Sequence, residues 1–180
     1  MADIRRILYS LKGSLESEIS RYDTLTHLEG IDLLQNAKLQ EDLRRYYAIR
    51  CAGFLEKLFY EAITWYIETN ANREVSQFSR SFFKKSPNLT PDAMETLVSR
   101  FGEVYLESLN EVLDEELKGR LGVLLNLRNE IAHGDFPTGA KHAPEQYLEL
   151  CNIIYDWILE QFIKNTVVEY GKDGLPLKKK

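Results

Sequence analysis

The chain has 180 residues, of which 44% are hydrophobic and 28% are charged, which suits one globular domain with a sizeable core. Its formal net charge of -5 argues against a uniformly basic surface for nucleic acid, so an RNA site has to be a local basic groove. The sequence shows no signal-peptide core and no apolar run of membrane-span length. We therefore expect a cytoplasmic protein with no membrane partner.

Apolar residues recur at helical spacing along the first half of the chain. The pattern predicts a first helix over residues 3–22, a short helix over 24–35 and a long central helix over 39–69. The apolar face of the central helix is wide, which indicates packing on more than one side. Asn72 is a candidate N-cap for a further helix over 73–84.

The second half continues this helical pattern. Thr90 followed by Pro is a typical helix start, and this helix runs to about Phe101. Residues 102–113 form either a loop with one helical turn or a full helix. The remaining expected elements are a helix over 114–133, a loop over 134–143, a final helix over 144–169 and a disordered tail over 171–180. No alternating strand pattern is present, so the predicted fold class is all-α, a bundle of long helices.

The two cysteines, Cys51 and Cys151, each lie in an apolar helical stretch. Such residues are usually buried free thiols, which favours a reducing compartment. No group of residues has the spacing of metal ligands, and we predict neither a metal nor another cofactor.

The helix that ends near His133 carries an arginine within its apolar stripe. At about 100° per residue, Arg128 points along the middle of this stripe, and no acidic residue lies three or four positions away. Its guanidinium therefore needs an acceptor on another helix, on a partner chain or on a ligand. Asn129 and His133 lie one turn apart at the edge of the stripe, and Gly134 is placed to end the helix. The apolar members of the stripe are Leu117, Leu121, Leu124, Leu125, Ile131 and Ala132.

An arginine and a histidine at one helix end suit RNA cleavage without a metal. The planar guanidinium of Arg128 matches two phosphate oxygens, and the imidazole of His133 can take or give a proton near neutral pH. In this chemistry a base removes the proton of the ribose 2′-OH, the oxygen attacks the adjacent phosphorus, and a cation stabilises the phosphorane. Asn129 could orient His133 or hydrogen-bond RNA.

Each of these residues also has a purely structural interpretation. Arg128 can be a core arginine paired with a neighbouring helix, for which Glu56 is one candidate acceptor. His133 can be a helix-end residue whose protonated form is favoured by the helix dipole. Asn129 can be a polar residue at the rim of the core.

Other aromatic and basic residues are weaker candidates. Tyr46 and Tyr47 could stack bases, but their helical spacing with other apolar residues favours core packing. His27 and His142 have no comparable surroundings and are interpreted as surface residues, and the lysines at 178–180 as a solvated end.

The stretch Arg128-Asn-Glu-Ile-Ala-His133-Gly resembles the Arg-x(4–6)-His signature of HEPN domains, with four intervening residues. It is especially similar to the Arg-Asn-x-x-Ala-His-Gly form of the RiboL-PSP-like branch of that superfamily. The stretch from Tyr46 to Ile67, which contains Glu56, resembles the central helix of that branch more loosely. The likeness covers roughly residues 39–170.

This resemblance implies an HEPN-like bundle with long antiparallel helices and an endoribonuclease activity in a toxin–antitoxin, anti-phage or RNA-processing system. By the same resemblance Arg128 and His133 are catalytic, Asn129 assists, and Glu56 and Glu130 are supporting residues. RNA, with tRNA as one candidate, is the implied substrate. A homodimer is implied, in which two Arg/His motifs face each other in one cleft, and an antitoxin or another protein is a further candidate partner.

The expected domain organisation is an N-terminal helical extension over residues 1–36, packed on an HEPN-like helical domain over residues 37–170 and followed by the tail. Some HEPN proteins lack nuclease activity, so the alternative function is a non-catalytic module for protein interaction. A third alternative is a toxin whose histidine or nearby tyrosine is modified by a partner nucleotidyltransferase.

Overall fold

A computed structural model describes residues 3–26, 33–82, 89–135 and 144–164 of the chain. Within these ranges the ordered elements are all helical, so the all-α prediction is confirmed. In chain order they are α1 (Ile4–Thr26), α2 (Leu33–Asn70), α3 (Arg73–Phe82), α4 (Pro91–Ser99), α5 (Glu103–Val112), α6 (Glu115–Ala132), α7 (Pro144–Ile158) and a π-helical segment (Leu159–Lys164) that continues α7.

The long helix α2 is the centre of the bundle, because α1, α6 and α7 all pack against it. The buried residues of α2, among them the fully buried Leu55, Leu58 and Phe59, cover about half of its circumference. The wide apolar face therefore packs on several helices, as predicted. The pairs Phe59–Trp157 and Tyr66–Phe162 follow each other in the same order on α2 and α7, so these two helices run in the same direction.

Helix α1 is part of the core, since its apolar residues Ile4, Leu8, Leu15 and Ile19 are buried. Glu18 joins it to α2, where its carboxylate accepts hydrogen bonds from Arg50 Nε at 2.7 Å and Nη2 at 2.8 Å. Arg50 lowers the pKa of Glu18, but both side chains are partly exposed, so the pair contributes about 1 kcal/mol or less.

The boundary between the first two long helices differs from the prediction. Helix α1 continues to Thr26 and α2 already begins at Leu33, so the described ends of the predicted short helix, 24–26 and 33–35, belong to two long helices. The reason is that Gln35, Ala37 and Lys38 are good helix formers and extend α2 towards its N-terminus. Residues 27–32 lie outside the described residues.

Several predicted helix starts are confirmed by capping contacts. Thr90 Oγ1 accepts a hydrogen bond from the Ala93 amide at 3.1 Å, and Pro91 is the first helical residue of α4. Asn72 Oδ1 accepts from the Val75 amide at 2.9 Å and caps α3. The predicted ends of the helices over 73–84 and 144–169, and the whole of the predicted tail, lie outside the described residues.

Residues 102–113 take the second of their two predicted forms, a full helix. This helix, α5, forms one hydrogen bond with an aromatic side chain of α2 and one with an aromatic side chain of α7. The Tyr105 hydroxyl lies 3.0 Å from that of Tyr66, and burial raises the pKa of Tyr105 to about 12. Trp157 Nε1 donates a hydrogen bond to Ser108 Oγ at 2.7 Å. These contacts and the surrounding rings stabilise α5 as a helix.

The two cysteines are buried free thiols, as predicted. They lie where α2 and α7 touch, and the Cys151 thiol donates a weak hydrogen bond to the Cys51 carbonyl oxygen at 3.7 Å. Burial raises the pKa of Cys151, so this thiol is a poor nucleophile.

Candidate active site

Helix α6 is held so that its last turn reaches the surface. Asp114 caps its first turn by accepting a hydrogen bond from the Leu117 amide at 2.9 Å. Leu121, Leu124 and Leu125 are buried, and α6 packs against α2 and α7. One turn beyond these leucines, Arg128 lies at the edge of the interface between α6 and α2.

Glu56 and Asn129 both contact the Arg128 guanidinium. Its Nη2 lies 3.0 Å from Glu56 Oε1 and 3.3 Å from Glu56 Oε2, and its Nη1 donates to Asn129 Oδ1 at 2.9 Å. Glu56 on α2 thus supplies the carboxylate that no residue three or four positions away on α6 could provide, and Asn129 adds a neutral acceptor from α6 itself. The Arg128 side chain keeps 29% of its exposure and that of Glu56 only 13%, so the cation still faces solvent.

Burial has a larger effect on the pKa of Glu56 than the charge of Arg128 does. Desolvation raises the pKa of this carboxyl, the charge of Arg128 lowers it, and the net result is a raised pKa. The surroundings of Glu56 therefore make this carboxyl easier to protonate than a free one, in spite of the adjacent cation.

The end of α6 is a Schellman turn, as the position of Gly134 suggested. The Asp135 amide donates to the Glu130 carbonyl at 3.0 Å, the Gly134 amide donates to the Ile131 carbonyl at 3.1 Å, and Gly134 has a φ of +90°. The His133 amide donates to the Asn129 carbonyl at 3.0 Å. Because the backbone is fixed in this way, the His133 side chain is held on the exposed rim of the bundle.

A matched pair of glycine substitutions tests this helix end. Gly134→Ala is expected to destabilise the protein by about 1 kcal/mol, because a φ of +90° strains a residue with a Cβ atom. Gly119→Ala, within α6, is expected to stabilise it by up to about 1 kcal/mol, because an added Cβ meets no atom within 4 Å. Thermal denaturation of both variants measures the difference, and equal shifts of the melting temperature would contradict the Schellman turn.

The structure brings together only part of the predicted site. Arg128, Glu56 and Asn129 are in contact, and the Asn129 side chain bonds Arg128 and not His133. Five residues of helix correspond to a rotation of about 140°, so Arg128 and His133 leave α6 in different directions. Glu130 is exposed and contributes its carbonyl oxygen to the terminal turn.

The two adjacent tyrosines of α2 differ in their exposure to solvent. Tyr47 is buried, and its hydroxyl donates to the Glu18 carbonyl oxygen, whereas the Tyr46 ring is 47% exposed. The core interpretation therefore holds for Tyr47 alone. His27 and His142 lie outside the described residues.

Two general features complete the description of the site. Among the described residues, no three side chains of His, Cys, Asp or Glu come together as a metal site. In the same part of the chain, no helix combines the length and the apolar character needed to cross a membrane.

A helical bundle with an Arg-x4-His motif at the end of one helix has the features of an HEPN domain. The family model described as RiboL-PSP-HEPN matches residues 14–160, and the chain belongs to this family. The match begins within α1, so it includes much of the N-terminal helix that lay outside the likeness seen in the sequence. No curated protein and no solved structure matches the chain.

Proposed function

We propose that this protein is a metal-independent endoribonuclease of the HEPN type. The observation that carries the proposal is the last turn of α6, where a partly exposed guanidinium and an exposed imidazole lie in the Arg-x4-His motif of an HEPN family member. Both groups that the chemistry needs are therefore accessible to an RNA strand.

In the proposed reaction His133 accepts the proton of a ribose 2′-OH as the O2′–P bond forms. The P–O5′ bond breaks, an imidazolium returns a proton to the leaving O5′, and the products are a 2′,3′-cyclic phosphate and a 5′-hydroxyl end. Arg128 stabilises the charge of the phosphorane. Before RNA binds, Asn129 and Glu56 hold the guanidinium at 2.9 and 3.0 Å, and Glu130 supports the helix end.

We also propose that the complete site is shared between two chains. Arg128 and His133 diverge by about 140° on one helix, so a single imidazole and the guanidinium of the same chain do not face each other directly. A symmetric homodimer with two adjoining motifs would supply both groups to one cleft. Sedimentation velocity is expected to find a dimer at micromolar concentration, and monomer alone would contradict the shared site.

A specific observation also favours the second candidate function, a non-catalytic interaction module. The Arg128 guanidinium already has a carboxylate partner, as it would in a purely structural ion pair. In that case the same surface would bind a partner protein, and no RNA would be cleaved by either wild type or variants.

For the cellular role we propose a toxin or anti-phage effector of the cytoplasm that acts on RNA such as tRNA. The support for this role is the resemblance to the HEPN superfamily, and an antitoxin or another protein would be its natural regulator. Modification of His133 by a nucleotidyltransferase would be one form of such regulation.

The proposal is tested by incubating the purified protein with total RNA and tRNA in excess EDTA. We expect cleavage by the wild-type chain and cleavage at least about 100-fold slower by His133→Ala. Cleavage that requires added metal would contradict the mechanism. A failure of the wild type to cut any RNA would favour the interaction module.

A further inference from the structure

In the proposed function the Arg128 guanidinium binds an RNA phosphate, whereas in this structure its Nη2 contacts a carboxylate. Glu56 contacts Nη2 through both of its oxygens, at 3.0 and 3.3 Å. A phosphodiester has one negative charge and two free oxygens, and its oxygens bind the same guanidinium N–H groups that a carboxylate binds, Nη2 among them. The carboxylate and the phosphate therefore compete for one cation.

The net charge of the Glu56–Arg128 pair changes when a phosphate binds. With Glu56 ionised, the pair is neutral, and a phosphate would bring a second negative charge next to the first. Two anions within a few ångströms repel each other strongly in a partly buried site. Protonation of Glu56 removes this repulsion and leaves Arg128 with its positive charge available.

The surroundings of Glu56 make this protonation easier than that of a free carboxyl. Arg128, on α6, is the one charged group within ion-pair distance of Glu56 in the described chain. The residues one turn away on α2 are Ala52, Gly53, Phe59 and Tyr60, of which only the tyrosine is titratable. Burial raises the pKa of this carboxyl, and the charge of Arg128 opposes that shift. Engagement of Arg128 by a phosphate removes that influence.

We propose that an RNA phosphate replaces the Glu56 carboxylate on Arg128, and that Glu56 takes up one proton from solvent as it is displaced. This inference rests on the proposed function and adds a regulation to it. RNA affinity then increases as the pH falls, because the proton and the phosphate bind together. At neutral and alkaline pH the ionised Glu56 is a competitor that keeps Arg128 occupied.

The test uses an RNA oligonucleotide with 2′-O-methyl groups, which binds as RNA but cannot be cleaved through O2′. Binding is measured by isothermal titration calorimetry on the full chain carrying His133→Gln, because an imidazole would itself link binding to protons. Titrations in two non-phosphate buffers of different ionisation enthalpy give the number of protons taken up near pH 6. A chain that also carries Glu56→Gln is compared, and Glu61→Gln is the control for loss of a charge on the same helix.

We expect proton uptake in the His133→Gln chain and in its Glu61→Gln control, with an affinity that rises up to about tenfold per pH unit. The chain with Glu56→Gln should take up no proton and bind equally well at all pH values. Equal proton uptake with and without Glu56, or none in the His133→Gln chain, would overturn the inference. The absence of proton uptake in the His133→Gln chain would be decisive even if the Glu56→Gln variant failed to fold. A chain that cleaves RNA but shows no linkage refutes the inference alone, whereas a wild type that neither binds nor cleaves RNA refutes the proposed function as well.

Discussion

Replacing Arg128 with Ala is expected to lower the rate of RNA cleavage by about 100-fold to 1,000-fold, the loss seen when one stabiliser of transition-state charge is removed. The guanidinium is the cation that the described site presents to a phosphate, with 29% of its side chain exposed. The free energy of unfolding should fall by no more than about 1–2 kcal/mol, because Glu56, whose pKa is already raised by burial, can become neutral when its partner is lost.

The matched control for this variant is Arg120→Ala. Arg120 lies on the same helix and forms ion pairs with Glu116 at 2.6 Å and with Glu149 at 3.4 Å, but it lies outside the motif. Cleavage rates and thermal denaturation are measured for both variants. If Arg128→Ala cleaved RNA at the wild-type rate and lost stability instead, Arg128 would be a structural arginine and the site assignment would be wrong.

Replacing His133 with Ala is expected to lower cleavage by about 100-fold to 10,000-fold, the usual effect of removing a general acid or base. The effect on stability should be small, because His133 is exposed and its contacts in the terminal turn are made by its backbone amide. The melting temperature should therefore stay close to that of the wild type. A large loss of activity without a loss of stability distinguishes a catalytic role from the structural interpretation of a helix-end histidine.

Asp135→Ala is the control for the histidine variant. Asp135 is exposed in the same turn and contributes its backbone amide, which the substitution retains. Its cleavage rate should match that of the wild type. If both variants lost activity to the same degree, the turn itself and not the imidazole would be responsible.

Local sequence signals predicted those parts of the fold that depend on neighbouring residues. Thr90 with Pro91, Asn72 and Gly134 mark helix ends through contacts with residues no more than a few positions away. The boundary between α1 and α2 could not be found in this way, because leucines at helical spacing fit one short helix as well as the ends of two long ones.

For the candidate site, the sequence predicted that Arg128 needs an acceptor from outside its own helix, because no acidic residue lies within one turn. Glu56 was one candidate, but its selection depends on how α2 and α6 are placed against each other, which a single sequence does not reveal. Which of Tyr46 and Tyr47 is buried also depends on how the helices pack. Adjacent residues point about 100° apart on a helix, and the packing of α1 buries one and leaves the other exposed.

The direction of the Asn129 side chain was also beyond the sequence. From its position one turn before His133, Asn129 could orient the imidazole, hydrogen-bond RNA or be a polar residue at the rim of the core, whereas in the structure its oxygen lies 2.9 Å from Arg128 Nη1. A guanidinium with its fixed fork of donors is the stronger attraction for an amide oxygen at the edge of the core.

The most direct test of the proposed chemistry is the identity of the ends that cleavage leaves. One RNA that the wild-type chain cuts in EDTA is isolated, and the termini of both fragments are determined by mass spectrometry. Attack by a ribose 2′-OH, with His133 and Arg128 as the reacting groups, predicts a 2′,3′-cyclic phosphate on one fragment and a 5′-hydroxyl on the other. A 3′-hydroxyl and a 5′-phosphate would show that water attacked the phosphorus, and would contradict the mechanism.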